Sequence, residues 1–550
     1  MAESGTVSRR FGCPSCGGGL RYDIASGKMI CDRCGGLTTL RDLPPEPEDD
    51  TLEVTEFHCP QCGAAVYSTD TEVTSFCSFC GSDVVLTGKL TRTARPADIL
   101  PFQVTREDCE AAYRQHLKKY LLAPADLKKA ETISHFRPVY VPFWSYEVDA
   151  EGPARLEGKK SYTSGNYRYD ETYDLSMDAV IRQKGILYDA SSAFEDETAA
   201  MLKHTAEGAR PFHPAYLSGF YAQAADVSAE TYHAEAAASA VRMFMDTVRE
   251  ENEMDSVEMK GDVSDSFGLP NARYRERLIM LPVWLLAHRQ GSRVVYTAVN
   301  GQSGEVVCDV PVSSGKSTGV IAGLAAVIFL LLSRLLTLKP ETLTAVCALL
   351  SVITQFQFSG GQRMLFLRRT RAGEPDFAGE NRTFVGPAQA LLRHNKNGGL
   401  TSSGRSSAAE KGAKAGRLLL VPCVFLIFFL AETLPQLLSA SSAALSGGSG
   451  RRMISLVILF VCLVIMIIHS ARPKTRKESG PSWPRLISCA ACAAAFLCLL
   501  SGQFEDVYYY ACAAAMLLSS AVELIMINRA HNEYASRPVP FFGKEEGENE

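Results

Sequence analysis

Eight cysteines within the first 80 residues form four Cys-x-x-Cys pairs, and they are the side chains of this sequence best suited to chemistry. Two cysteines three positions apart on a tight turn direct both thiolates at one point, and two such turns supply four sulfur ligands in a tetrahedron. A glycine follows each pair, where the turn favours a positive φ. The spacing predicts two metal centres, formed by Cys13, Cys16, Cys31 and Cys34 and by Cys59, Cys62, Cys77 and Cys80.

The two centres belong to an internal repeat, because each cysteine of the first recurs 46 positions later in the second. We assign the repeats to residues 10–43 and 55–88, joined by an acidic, proline-rich linker at 44–54. Units of this size bury too little apolar surface to fold alone. A structural zinc ion supplies ~10–16 kcal/mol, so we expect one zinc per repeat. Iron also suits four sulfur ligands and is the alternative, whereas a thioredoxin-like redox pair requires a βαβ context.

Charge argues against a nucleic-acid partner for these repeats. Residues 1–90 contain seven basic and thirteen acidic residues, a net charge of −6. Binding to phosphates requires a basic face. We therefore expect contact with proteins and no contact with nucleic acid.

Residues 95–312 have the patterns of a mixed α+β domain. Thr105 and Asp108 form a capping box that opens a helix, and the alanine-rich run Ala229–Val248 predicts another. Strands are expected at Pro138–Glu147, Asn166–Leu187, Arg277–His288, Arg293–Val299 and Glu305–Val310. Two similar segments, Val139–Trp144 and Ile279–Trp284, each contain an apolar-Pro-apolar-Trp pattern. We interpret them as core strands with proline at edges or bulges rather than as an aromatic binding groove.

The segments FRPVYVPFW, FHPAYLSGF and LPVWLLAHRQGSRVVYTAVNGQSGEVVCDVPVSSGK, together with the cysteine pairs, resemble a bacterial family of TFIIB-type zinc-ribbon membrane proteins. The resemblance covers roughly residues 10–320, and this chain has a longer membrane half than it implies. Some family members are labelled primosomal helicase-like because of the ribbon, and related genes lie near those of SPFH, TPM-domain or phage-shock-type proteins. The resemblance implies rubredoxin-like ribbons and a scaffold for membrane stress or membrane organisation, and it brings no catalytic residues.

The sequence contains no catalytic motif of the H-E-x-x-H or G-x-S-x-G type. The segment Ser314–Thr318 imitates the end of a P-loop, but Val310 occupies the position of the first glycine. We therefore do not expect helicase activity or any other enzymatic activity.

The C-terminal half is apolar and predicts a transmembrane hairpin at 318–358 and four further helices within 418–528. Basic residues give the intervening loop 359–417 a net charge of +7 and residues 469–485 a net charge of +4, so both should face the cytoplasm, and only Arg451 and Arg452 disagree. The loop is expected to be partly disordered, and an acidic tail follows at 529–550. The six spans are Val320–Leu338, Leu343–Phe358, Leu418–Leu438, Met453–Ile468, Leu486–Leu500 and Val507–Ile527.

Two groups of charged residues lie in and beside the predicted spans. Arg334, Glu432 and Glu523 lie near span ends, where we expect their side chains to reach the interface. Four arginines directly after the second span are expected to contact anionic lipid headgroups, and they are Arg363, Arg368, Arg369 and Arg371.

The sequence thus predicts a multidomain protein with two zinc ribbons, an α+β domain and an all-α polytopic region in the cytoplasmic (inner) membrane, with both termini cytoplasmic. Its expected function is that of a scaffold recruiting protein partners, for example SPFH, TPM-domain or phage-shock-type proteins, at the membrane surface. The alternatives are a transporter or channel subunit and a membrane-tethered nucleic-acid binder. A homo-oligomer is compatible with the sequence.

Overall fold

The computed structural model describes residues 11–43, 51–68, 74–85, 87–165, 167–194, 196–260, 266–320, 323, 339–371, 448–471, 483–501 and 505–539. These residues fall into two compact units. The N-terminal unit contains the chain up to Val310 and again from Ser536, and the helical unit contains the segments between Pro311 and Ala535.

The strands lie almost entirely in the N-terminal half of the chain. In order they are β1 (Leu20–Asp23), β2 (Lys28–Cys31), β3 (Leu37–Thr38), β4 (Thr51–His58), β5 (Ala65–Ser68), β6 (Thr74–Phe76), β7 (Asp83–Val85), β8 (Thr87–Ala94), β9 (Asp98–Ile99), β10 (Arg137–Ser164), β11 (Tyr167–Asp189), β12 (Arg210–Pro211), β13 (Tyr221–Ala222), β14 (Ser256–Met259), β15 (Arg273–Gln290), β16 (Arg293–Asn300), β17 (Val306–Cys308) and β18 (Arg537–Pro538).

Helices occur in both units, and a short helical segment at 314–320 precedes the long apolar ones. The others are α1 (Arg106–Lys118), α2 (Ala130–Ile133), α3 (Asp196–Met201), α4 (His233–Glu251), α5 (Pro340–Arg371), α6 (Gly448–Ala471), α7 (Trp483–Ser501) and α8 (Asp506–Tyr534). The expected N-cap is confirmed, because the Thr105 side chain accepts a hydrogen bond from the Asp108 amide at 3.3 Å. The Asp108 carboxylate accepts a hydrogen bond from the Thr105 hydroxyl at 2.7 Å, in place of the backbone amide that a complete capping box uses.

The first cysteine repeat forms a small antiparallel sheet of its own in the order β1-β2-β3. The second repeat does not stand apart. Its strands β4 and β5 belong to a 13-stranded sheet whose main path is β12-β9-β15-β10-β13-β5-β4-β8. On this sheet β11 and β14 pair with β10, and β16 pairs with β15, β17 and β18. The expected mixed α+β body is confirmed, and the second cysteine repeat is part of it.

The two apolar-Pro-apolar-Trp segments are adjacent strands at the centre of this sheet, where Val141 of β10 lies opposite Leu281 of β15. Both tryptophans donate to backbone carbonyls, Trp144 to Val227 at 2.8 Å and Trp284 to Val104 at 3.0 Å. The segments are therefore core strands, as we interpreted them.

The expected position of the prolines at sheet edges is wrong. Pro142 lies in β10 at a point where the neighbouring strand changes. Before it, β13 pairs with β10 as far as Tyr140, and after it, β11 pairs with β10 from Phe143 onward. Pro282 lies in β15 at the same kind of junction, between β9 and β16. Proline has no N–H for a ladder, so a central strand tolerates it where one neighbour ends and the next begins.

A long hairpin of β10 and β11 packs against α4, and very small residues let the two layers approach closely. Ala236, Ala237 and Ala240 of α4 are fully buried in the same core as Val148 and Leu156 of the hairpin. Alanine brings the helix axis close to the sheet and costs no side-chain entropy. The apolar contacts between these elements form one of the cores of the N-terminal unit.

Within the described residues, the helical unit contains three helices long and apolar enough to cross a membrane, Pro340–Phe358, Trp483–Ser501 and Asp506–Tyr534, and a shorter apolar helix, Arg452–Ile468. Four expected spans coincide with these helices. The expected span 418–438, and the expected span 320–338 apart from Val320 and Gly323, lie outside the described residues. Helix α5 continues to Arg371 and α8 to Tyr534, so the first part of the expected basic loop and of the expected tail is helical.

Hydrogen bonds fix the relative directions of these helices. Ser351 and Thr354 of α5 contact Ser520 and Glu523 of α8, respectively, at 2.9 and 2.7 Å, so the two helices run in the same direction. The starts of α5 and α6 meet through an ion pair of Glu341 with Arg452 at 2.8 Å. Helix α7 precedes α8 by a short connection and runs against it. This ion pair neutralises one of the two arginines that disagreed with the expected topology.

Gly268 tests the close packing of the hairpin. Its φ is +64°, and a Cβ there would lie 2.0 Å from the Glu151 carbonyl oxygen. We expect Gly268→Ala to lower the free energy of unfolding by about 3 kcal/mol. Gly165 at the hairpin turn has the same φ with open space around it, so Gly165→Ala should cost about 1 kcal/mol. Thermal unfolding of the purified full chain measures both, and equal losses would contradict the packing argument.

Candidate metal centres

Each cysteine pair lies on the same kind of turn. In the first repeat the amides of Gly17 and Gly35 donate to the carbonyls of Cys13 and Cys31 at 2.8 and 2.9 Å. Both glycines have positive φ angles, +71° and +69°, which a residue with a Cβ rarely adopts. The second repeat repeats this geometry at Gly63 and Gly81, with φ of +75° and +68°. The glycines thus shape the turns that bring the thiols together.

The eight predicted cysteines come together in two groups of four, and within each group all the sulfur atoms lie within 4.8 Å of one another. In the first group the Sγ–Sγ distances are 3.8 Å for Cys13 and Cys34 and 3.5 Å for Cys16 and Cys31. A zinc ion with four sulfur ligands at ~2.3 Å places those ligands about 3.8 Å apart.

The second group has the same dimensions. Its Sγ–Sγ distances are 3.7 Å for Cys59 and Cys80 and 3.8 Å for Cys62 and Cys77. A disulfide would bring two sulfur atoms to about 2.05 Å, and all eight cysteines are free thiols. Both groups therefore fit one tetrahedral metal ion each.

The electrostatics of the groups favour a bound cation. Backbone N–H groups of the turn, first that of Ser15, lower the pKa of Cys13 to about 7. In the second group the thiols of Cys62 and Cys77 lower the pKa of Cys80, while Cys77 and Cys80 raise the pKa of Cys62. Close thiols share protons in this way because several thiolates repel one another. A metal ion between them removes the repulsion and replaces the protons.

The two centres differ in their surroundings. In the first group Cys34 is exposed and Cys16 is half-buried. The first repeat contacts the rest of the N-terminal unit through Tyr22, whose ring packs on Tyr216 at 5.2 Å and whose amide donates to the Ser218 carbonyl at 3.2 Å. Its metal centre is therefore close to solvent.

The second group is completely buried, and all four of its cysteines lie in one core with Phe57, Val66 and Phe79. The hydroxyl of Tyr296, on β16, donates to the Phe79 carbonyl within the Cys77–Cys80 turn. A Cβ on Gly81 would meet the Ala287 carbonyl at 2.9 Å, so the turn packs directly on β15. No local sequence pattern indicates a role for Tyr296, because its contact with the turn spans 217 residues.

The four arginines expected to contact lipid lie on the last turns of α5, from Arg363 to Arg371. The contacts of these side chains lie outside the described residues, and their role stays a prediction.

In the part of the chain that the structure describes, two tetracysteine groups could each hold a metal ion, and three apolar helices are long enough to cross a membrane. The chain is similar to the uncharacterized protein YdjG of Bacillus subtilis (strain 168), with 28% identity over 332 residues, which cover 58% of this chain and 96% of that protein. No protein-family model and no solved structure matches the chain.

Replacement of single ligands distinguishes the two centres. We expect two zinc ions per wild-type chain. The single variants Cys34→Ser and Cys59→Ser should each contain one zinc ion per chain, since three ligands do not hold a structural zinc. Loss of ~10 kcal/mol or more of binding energy at the buried second centre should abolish cooperative unfolding of the N-terminal unit, while Cys34→Ser should leave most of it intact. Elemental analysis and thermal unfolding measure these outcomes.

Cys109 supplies the matched control. It is a fully buried thiol outside both groups, and burial raises its pKa well above the usual value. Cys109→Ser should keep two zinc ions. A red protein that contains iron, or unchanged metal content in Cys59→Ser, would contradict the zinc assignment.

Proposed function

We propose that this protein is a membrane-anchored zinc-ribbon scaffold that recruits protein partners at the cytoplasmic face of the inner membrane, without catalysis of its own. The observation that carries the proposal is a group of exposed tyrosines near the end of the β10–β11 hairpin. Tyr162, Tyr167, Tyr169 and Tyr173 are 44%, 72%, 45% and 41% exposed. Exposed aromatic groups of this kind mark protein–protein contacts.

The hairpin extends beyond the rest of the sheet. Strand β14 pairs with β10 only from Leu156 to Lys159, and from Lys160 to Ser164 the pairing partner of β10 in the described residues is β11. Five residues of extended strand project by about 16 Å. Tyr162, Tyr167 and Tyr169 lie on this projection and are accessible to a partner protein, and Tyr173 lies at its base, opposite Gly158.

The tyrosines are held in place before any partner binds. The rings of Tyr162 and Tyr169 stack with centroids 5.3 Å apart. Glu171 accepts hydrogen bonds from the hydroxyls of Tyr162, at 2.8 Å, and Tyr173. Pre-ordered aromatic side chains lose little entropy on binding and are typical of the residues that dominate interface energies.

Charge favours a protein over a nucleic acid as the partner. Residues 155–178 contain four basic and five acidic residues, so the hairpin has no basic field. Partners of the SPFH, TPM-domain or phage-shock type, which the family resemblance suggests, are the candidates for this surface. The similarity to YdjG adds no partner, because that protein is uncharacterized.

The path of the chain supports a polytopic anchor with both ends on one side of the membrane. The chain leaves the N-terminal unit after Val310 and returns as β18, where Val294 of β16 lies opposite Arg537. Arg293 fixes the return through a hydrogen bond to Ser536 Oγ at 2.8 Å. A unit on one side of a membrane can contain both segments only if the intervening chain crosses an even number of times.

Helix directions support six crossings in particular. Helices α5 and α6 begin at the same end, so a chain that spans with both must cross once more between them, within residues 372–447. The expected span 418–438 supplies that crossing. The arginines from Arg363 to Arg371 then lie at the cytoplasmic end of α5, where each attracts anionic headgroups by about 1 kcal/mol.

Affinity capture with the full chain tests the scaffold. Tyr162→Ala/Tyr169→Ala/Tyr173→Ala should lose the proteins that co-purify with the wild type from crosslinked membranes, because the aromatic contacts are gone. A triple control that removes equally exposed apolar side chains elsewhere, Leu37→Ala/Leu121→Ala/Met243→Ala, should retain them. Both variants should keep two zinc ions and the membrane location. The same co-purifying proteins in both variants would refute the tyrosine surface.

Topology is tested separately with alkaline phosphatase, which is active only outside the cytoplasm. Fusions after Gln503 should be active, and fusions after Ser403 and after Glu550 should be inactive. An active fusion after Glu550 would exclude the even number of crossings, whatever the result of the capture experiment.

A further inference from the structure

Among the described residues of the helical unit, the carboxyl group of Glu523 is the one that is fully buried. Its residue exposure is 0%, in contrast to our expectation that the side chain reaches the interface. Thr354 of α5 donates a hydrogen bond to Oε2 at 2.7 Å. Oε1 has no hydrogen-bond partner among the described residues. One carboxyl oxygen of Glu523 thus accepts a hydrogen bond, and the other is buried without a hydrogen-bond partner among the described residues.

A second polar contact lies one turn away and holds the same two helices together. Ser351 Oγ and Ser520 Oγ are 2.9 Å apart, and Ser351 also donates to the Met516 carbonyl at 3.3 Å. These groups satisfy one another and do not reach Glu523. The serine pair therefore links α5 to α8 without the carboxyl group of Glu523.

Few charges surround the carboxyl group. Arg485 of α7 is the charged group that faces it, and the Arg485 guanidinium lies 4.8 Å from the ring centroid of Phe358. The facing part of α5, residues 342–358, contains no titratable side chain except Cys347, and residues 453–468 of α6 contain only Cys462. On α8 itself the next charged residue is Arg529, six positions further on. An ionised carboxylate in such surroundings is poorly solvated, and such groups within membrane helices are typical of functional sites.

We propose that Glu523 is a reversible proton-binding site within the membrane helices. A proton from water adds to Oε1, forms one O–H bond and neutralises the carboxylate, and its release restores the negative charge that faces Arg485. No oxidation or reduction accompanies the step. The site goes beyond the scaffold function, because it makes the charge between α5, α7 and α8 depend on pH.

The surroundings favour a proton over a sodium ion. A metal cation requires several converging oxygen atoms in place of its water shell. Thr354 is the one side-chain hydroxyl that the described residues place in hydrogen-bond contact with the carboxyl group. Arg485 repels a cation of fixed charge. A proton needs a single oxygen atom, and Oε1 offers it.

The position of Glu523 indicates the side from which the proton arrives. It lies 17 residues after Asp506, the first residue of α8. At 1.5 Å per residue this is about 26 Å along the helix, near the far end of a hydrocarbon core of about 30 Å. In the proposed topology that end is cytoplasmic, so the site exchanges protons with the cytoplasm.

Infrared difference spectroscopy of the full chain in lipid nanodiscs tests the site, with pH steps as the only perturbation. The wild type should show a carbonyl band of a buried protonated carboxyl group that decreases as pH rises. Glu523→Gln should lose this band. Glu341→Gln is the matched control, because Glu341 is ion-paired with Arg452 at the other end of the unit, and it should keep the band. Thr354→Val should move the band to higher frequency, because the carboxyl group loses its hydroxyl partner.

Identical pH difference spectra for the wild type and Glu523→Gln would overturn the proposal, and so would a band that does not change with pH. If the band disappears when sodium chloride replaces choline chloride at fixed pH, the site binds a sodium ion and the proton assignment is wrong. Size-exclusion chromatography and zinc content verify the fold of each variant. If Glu523→Gln does not fold, an unchanged band frequency in Thr354→Val overturns the assignment by itself. None of these outcomes depends on whether the tyrosine surface binds a partner.

Discussion

Attraction between buried thiolates and a metal cation is the interaction on which we expect the N-terminal unit to depend, because its second group of four cysteines could hold such an ion. Cys59, Cys62, Cys77 and Cys80 lie at the ends of strands and turns that continue into the large sheet through β4 and β5. Without a metal ion, this core would contain four thiols in contact and little apolar surface, too little to hold its strands. With the ion, the turn at Phe79 becomes a rigid surface against which β15 and β16 pack. The second metal centre is thus an internal part of the sheet, whereas the first lies at its surface.

Cysteine spacing and apolar patterns were sufficient to predict the two groups of four cysteines, the core strands of β10 and β15, the helices α1 and α4, and four apolar helices. They could not show that the second cysteine repeat joins the sheet, since strand pairing depends on partners far apart in sequence. The prolines illustrate the same limit. Pro142 and Pro282 are compatible with central strands only because a neighbouring strand ends beside each of them, and no local pattern contains that information.

The helical unit shows a different limit. Hydropathy gives the length of an apolar helix but not the direction in which each of its faces points. Glu523 lies close enough to the end of its span to reach the interface, yet the rotation of α8 turns it towards Thr354. Arg452 shows the converse, because its ion pair with Glu341 explains a charge that the topology rule alone counted as an exception.

The return of the chain as β18 also orders events during synthesis. Arg293 and Val294 of β16 are made 245 and 243 residues before their partners Pro538 and Arg537. In the described residues, the other strand that pairs with these two positions is β15. At about 5–20 residues per second the ribosome needs roughly 10–50 s for that interval, during which the apolar helices emerge. Strand β17 covers part of the outer edge of β16 soon after it is made, but the edge at Arg293 and Val294 stays open throughout. A nascent chain that stops before Ser536 therefore exposes an unpaired strand end, which makes incomplete products recognisable to the proteases and chaperones that bind such edges.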